Sequence, residues 1–185
     1  MKKSIITKKI IAKSLKDLML EKDFKKISTA DIMNHAGIRR QTFYNHFSDK
    51  YELVEWIFKS ELHEQLSDNV GYQHWKTTVL TLLFYLEKNK TFYQRAFEID
   101  GQNSFEQFFC DQCKEVIKAT YQDTHPNDAP LKESKLLQLL TEYHALAFSH
   151  FIKEHIDDNV PLERYHEFLC YVIDHQFNDR KDRLF

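Results

Sequence analysis

Glycine, proline and cysteine are scarce in this chain, with three of each among 185 residues. So few backbone breakers in so long a sequence imply helices joined by short connections. Gly37, Gly71 and Gly101 are too scattered to build a loop that cradles phosphate, so kinase and nucleotide-binding readings lack their main part. An odd number of cysteines without an export signal reads as reduced thiols rather than a disulfide framework. No apolar run approaches the ~18 residues of a membrane span. The opening MKKSIITKK lacks the continuous apolar stretch of a signal peptide, so a cytoplasmic protein without a membrane partner is expected. Catalytic and metal patterns are equally thin. Cys110-x-x-Cys113 has no second pair, Glu163-x-x-His166 occurs once, and HExxH is absent. The expectation is a non-enzyme with no metal and no cofactor.

What is present is an ordinary globular composition, 42% hydrophobic and 29% charged, with an uneven charge distribution. Residues 1–50 hold 12 Lys/Arg against 5 Asp/Glu, a surplus of seven; the remaining 14 Lys/Arg face 23 Asp/Glu, a deficit of nine. A basic head on an acidic body suits a polyanion, although exposed helices also carry solvated lysines without any such partner. Ile6, Ile10, Ile11, Leu15, Leu18 and Met19 recur at helical spacing over about 4–21. Ser28 or Thr29 can cap a second helix over 30–36, which Gly37 can stop in the left-handed conformation. A third helix is expected over 39–46, and a fourth from Ser48 or Asp49, with Glu52 placed as in a capping box. Beyond a break at Gly71, helical periods recur at about 74–88, 91–98, 104–121 and 132–155, with a loop over 123–130. A last helix starts near Pro161. The chain reads as all-α with about nine helices.

The segment 29–47 has the layout of a helix, a glycine turn and a second short helix. In a helix-turn-helix the second helix enters the major groove. Ile32, Ala36, Ile38, Phe43 and Phe47 are expected to face inward, leaving a dense polar set on the rest. Arginine pairs with guanine, and glutamine or asparagine with adenine, whereas Thr, Tyr, His and Lys more often hold phosphates. Pattern alone leaves a solvated surface helix open as well. Read without gaps, KDFKKISTADIMNHAGIRRQTFYNHFSDKYELV (Lys22–Val54) resembles the signature of TetR-type regulators, through Phe24, Ser28-Thr29, Ile32, Ala36-Gly37-Ile38, Thr42-Phe43-Tyr44, His46-Phe47, Lys50 and Leu53. The resemblance implies phosphate contacts for Thr29, Tyr44, His46 and Lys50. It places Arg39, Arg40, Gln41, Thr42 and Asn45 against base edges or adjacent phosphates. Two departures stand out: the family usually has a small residue at the position of Arg39 and often glycine at that of Gln41. The expected division is residues 1–50 for DNA binding and 51–185 for the effector and dimerisation body.

The runs Met1–Met19 and Ile38–Phe47, with Leu86, Phe92-Tyr93, Phe97, Ile99-Asp100 and Phe105 through Phe109, are similar to TetR-type activators of dihydroxyacetone kinase operons. That likeness implies an activator whose body binds a kinase-like coactivator protein that itself holds dihydroxyacetone. The alternative is a repressor released by a small molecule in the body. Aromatic residues at helical spacing are usually core, but a minority line pockets, and Tyr85, Tyr93, Asn103, Tyr143 and His144 are the candidates here. On the last helix Leu162, Tyr165, Leu169, Val172 and Ile173 form a broad apolar arc, echoed by Leu136, Leu140, Tyr143, Ala147 and Phe151 on the helix before it. By resemblance these two helices pair across a two-fold axis into a homodimer. Such symmetry calls for a roughly palindromic operator in double-stranded DNA.

Overall fold

The computed structural model describes residues 2–67, 75–124 and 135–178. Among them every regular element is helical, as expected: α1 (Lys2–Glu21), α2 (Thr29–Ala36), α3 (Gln41–Tyr44), α4 (Lys50–Ser67), α5 (Trp75–Lys88), α6 (Lys90–Phe97), α7 (Phe105–Thr124), α8 (Lys135–His155) and α9 (His166–Asn178). Three 3₁₀ turns, Phe24–Lys26, Gly101–Asn103 and Leu162–Tyr165, link some of them. The expected loop over 123–130 starts later, since α7 continues through Thr124; its remainder, the expected break at Gly71 and the start of the long helix at 132–134 lie outside the described residues.

Two compact units organise the chain. The first joins Met1–Ser67 to Asn89–Phe105, and the second joins Asp68–Lys88 to Glu106–Phe185. In the first, Ile11, Leu15 and Met19 of α1 are fully buried with Ile32, Met33, Phe43, Leu53 and Ile57. The phase of α1 differs from the expectation at its start: Ile6 and Ile10 are 58% and 42% exposed, while Ala12 and Ser14 turn inward. Ser14 is tolerated there because its hydroxyl donates to the Ile10 carbonyl at 3.0 Å. An aromatic group of Phe58, Tyr93, Phe97 and Phe105 brings α6 into this core at centroid distances near 5–6 Å, edge-to-face except for the tilted Tyr93–Phe105 pair. Beside it, Lys16 Nζ donates to Glu61 at 2.7 Å and Asn89 at 2.9 Å, so its part-buried ammonium is paired.

The second unit buries Leu83 and Leu86 of α5, Phe109, Cys110 and Cys113 of α7, and Ala145, Phe148 and Ile152 of α8. Leu162, Leu169, Cys170 and Ile173 are buried in the same unit. The last helix does not begin at Pro161 as regular α-helix. Pro161 is extended (φ −58°, ψ 138°), and a 3₁₀ turn precedes α9. Glu87 accepts the Leu162 N–H at 3.0 Å, supplying a partner that the new turn lacks. His166 Nε2 donates to the Lys76 carbonyl at 2.8 Å, tying the start of α9 to α5.

Candidate nucleic-acid interface

The geometry of residues 24–53 follows from local chemistry. Ser28 caps α2 through a reciprocal pair: its hydroxyl accepts from the Asp31 N–H at 3.1 Å, and the Asp31 carboxylate accepts the Ser28 N–H at 2.8 Å. The Ser28 hydroxyl also donates to that carboxylate at 2.6 Å, and this bond first, with the Ser28 N–H second, holds the Asp31 carboxyl below its usual range. Gly37 ends α2 at φ 66°, a left-handed conformation that costs a side chain dearly and glycine nothing. The chain then turns into 39–47, where only Gln41–Tyr44 is regular α-helix. Tighter bonds continue the spiral at both ends, from Thr42 N–H to Arg39 and from His46 N–H to Phe43. Asp49 Oδ1 accepts the N–H groups of Tyr51 and Glu52 and so starts α4, while Glu52 reaches back to the N–H and hydroxyl of Ser48.

Phe43 and Phe47 are buried, 5.7 Å apart, and Phe47 meets Trp56 edge-on. With that side committed to the core, Arg39, Arg40, Gln41, Tyr44 and Asn45 are exposed, and Thr42 and His46 are half-buried. Thr29 at the N-terminus of α2 joins this polar row: its hydroxyl lies 3.3 Å from that of Tyr44, to which Arg40 Nη2 donates at 3.4 Å. The two contacts, Thr29 first and Arg40 second, favour the phenolate and hold the Tyr44 hydroxyl below its usual range. Lys50 is placed differently. Its ammonium donates to the carbonyls of Phe24 and Ile27, both at 2.7 Å, and lies 4.4 Å over the Phe24 ring.

The five candidate pocket residues are not gathered into one place. Tyr93 is fully buried and Asn103 is exposed on a 3₁₀ turn, both in the first unit. In the second, Tyr85 and His144 are buried, the latter with its ring pushed toward the neutral form by burial, while Tyr143 is 58% exposed. Of the residues expected at a dimer contact, Leu162, Leu169 and Ile173 are buried within their own unit, and Tyr165 and Val172 are half-buried. Among the described side chains, the large exposed apolar residues of these helices are Leu139, Tyr143 and Leu146 on α8, and Phe168 (52%) and Tyr171 (59%) on α9. The periodic reading passed over Phe168 and Tyr171 because the long Leu162–Ile173 arc already accounts for one full face. The signal was a second stripe, three residues apart, beside the first.

Cys110 and Cys113 are buried, and burial pushes the Cys113 thiol far above its ordinary range, which makes it a poor nucleophile and a poor metal ligand. Among the described residues no three His, Cys, Asp or Glu side chains are grouped to hold a metal ion, and no helix is long and apolar enough to cross a membrane.

Residues 11–57 match the family described as bacterial regulatory proteins, tetR family. Residues 73–174, more than half of the chain, match its companion, the transcriptional regulator C-terminal region. The chain belongs to the TetR family. Among relatives, the HTH-type dhaKLM operon transcriptional activator DhaS of Lactococcus lactis subsp. lactis (strain IL1403) is 50% identical over 117 residues, 63% of this chain. That stretch spans 62% of DhaS, less than two thirds of its length. The HTH-type transcriptional regulator AlkX of Mycobacterium tuberculosis (strain ATCC 25618 / H37Rv) is 37% identical over 57 residues, 31% of this chain and 26% of AlkX. A solved structure of a dihydroxyacetone kinase operon activator DhaS superposes with a TM-score of 0.74 at 37% identity, covering 94% of this chain and 97% of that one. The TetR-type likeness of Lys22–Val54 and the narrower likeness to the dihydroxyacetone kinase activators both agree with these matches.

Proposed function

We propose that this TetR-family member is a dimeric, sequence-specific activator of genes for dihydroxyacetone or glycerol use, working with a kinase-like coactivator protein. The observation that carries the DNA reading is the exposed row Arg39, Arg40, Gln41, Tyr44 and Asn45, backed by the buried pair Phe43 and Phe47. A helix with one face locked into a core and the other bearing bidentate donors is suited to the major groove. Arg39, Arg40, Gln41, Thr42 and Asn45 face base edges or adjacent phosphates, and Thr29, Tyr44 and His46 seat the backbone. The DNA-binding module falls within residues 1–50 and the remainder carries partner binding and dimerisation. The exposed apolar residues Leu139, Tyr143, Leu146, Phe168 and Tyr171 supply the face for a second copy. DhaS of Lactococcus lactis, an activator of the dhaKLM operon by its name, supports the choice of genes.

The test is a gel shift of the gene's own upstream DNA, with and without dihydroxyacetone and a neighbouring kinase-like protein, coupled to a pull-down of that protein. The reading expects a specific complex with DNA and capture of the kinase-like protein by the body. Release of the DNA by a small molecule, with no protein captured, replaces the activator with a ligand-responsive repressor. In that second reading Tyr85, Tyr93, Asn103, Tyr143 and His144 are the first residues to vary.

A further inference from the structure

Family likeness assigns Lys50 to phosphate, but its surroundings are those of an internal tie. Lys50 is the first residue of α4, and its ammonium lies at the end of the 3₁₀ turn Phe24–Lys26, where the Phe24 carbonyl accepts the Ile27 N–H and the Ile27 carbonyl lies just past the turn. It donates to Phe24 O and Ile27 O at 2.7 Å, approaches Lys25 O at 3.5 Å, and sits over the Phe24 ring. An ammonium has three N–H donors, and two of these are in short bonds to neutral acceptors that no other side chain is seen to serve. Turning the ammonium outward to a phosphate means breaking both and removing this donor from the Ile27 carbonyl, while the Phe24 carbonyl keeps the Ile27 N–H at 3.1 Å.

Burial of the group, which lowers its pKa, agrees with an inward ammonium. The tie has a consequence one residue further on. Ile27 immediately precedes the Ser28 cap, and Thr29 next to it meets Tyr44, so the carbonyl that Lys50 holds sets where the polar row begins.

We propose that Lys50 is a positioning residue: it clamps the connector between α1 and α2 to the start of α4, and thereby sets the Thr29–Tyr44 pair, rather than neutralising a phosphate. The proposal rests on the DNA-binding reading for its effect on affinity, but the clamp itself does not. The experiment uses the full chain, as wild type, Lys50→Met and Lys50→Gln. Melting temperature is followed by circular dichroism, and anisotropy measures binding to the upstream duplex between about 50 and 200 mM salt, the range over which each phosphate contact registers.

Lys50→Met is expected to melt roughly 3–12 °C lower, the shift that follows from losing a charged hydrogen bond in a chain of this size. It should bind DNA several-fold more weakly with the salt slope of wild type. Lys50→Gln keeps two donors without the charge, and is expected to recover part of the stability and affinity at the same slope. A slope shallower by about 0.9 in either variant, whatever its melting temperature, makes Lys50 a phosphate ligand and overturns the proposal. An unchanged melting temperature in both variants overturns it as well. Should wild type bind no upstream DNA, the DNA-binding reading fails, and the melting series still decides for or against the clamp.

Discussion

At the scale of single residues, the hydroxyl of Tyr44 is where the candidate interface is organised, because Thr29 and Arg40 both turn toward it. Arg40 is therefore partly oriented before any DNA arrives, which lowers the entropy lost when its guanidinium engages a base. Arg40→Ala is expected to reduce operator affinity by about 1–3 kcal/mol and to relax the preference at one base position. Tyr44→Phe should weaken all sequences alike. A gel-shift series over single-base operator variants separates the two, and unchanged preference for Arg40→Ala removes it from base readout. Asp31 makes a different kind of contribution. Its carboxyl is held below the ordinary 3.8 by the Ser28 bonds, so its support for folding is complete above that value and disappears as pH falls through the depressed one. The melting-temperature gap between wild type and Asp31→Asn should be open at pH 7 and narrow as pH falls below 3.8. A gap of equal size at both pH values would count against the reciprocal cap.

At the scale of elements, α2 and the turn after it were legible in the sequence because their signals are local. Ser28 and Gly37 act within a few residues of themselves, and the structure has both in the expected job; the closing of the box by Asp31 is an addition of the structure. Gly37 has open space where a Cβ would stand, so Gly37→Ala costs only the left-handed backbone, about 1 kcal/mol, with Asn better tolerated there. Urea unfolding of both variants checks the ranking; equal losses would show that contacts rather than φ decide. The recognition segment was less legible. Its full span of 39–46 was expected as one helix, yet regular α-geometry holds only at Gln41–Tyr44, because the ends tighten into 3₁₀ bonds over the buried Phe43. The start of α9 shifted for a related reason: Pro161 stays extended, and Glu87, remote in sequence, caps the turn that follows.

At the scale of the molecule, the exposed apolar stripe of α8 and α9 is the surface most in need of a partner. Phe168→Glu combined with Tyr171→Glu is expected to yield a folded monomer by light scattering, with operator affinity lost because two half-sites are no longer bridged. A variant that remains dimeric sinks that face as the interface. Leu169→Ala is the contrast: this side chain is buried within its own unit, so the expected loss is about 2–5 kcal/mol of stability, seen in chemical unfolding.

The helix-turn-helix in the basic head, the all-helical class and the family were determined by the sequence alone. They rest on periodicity, caps and an ungapped motif, all of which act over a few residues. Tertiary structure decided which of two apolar stripes on α9 the unit keeps for its own core. Periodicity reports that a face is apolar, and cannot say what covers it. It decided the inner face of α1 in the same way, and it decided the fate of Lys50. In the sequence Lys50 is one more cation of a basic head. In the fold it meets the carbonyls of Phe24 and Ile27, more than twenty residues away, and becomes part of the frame.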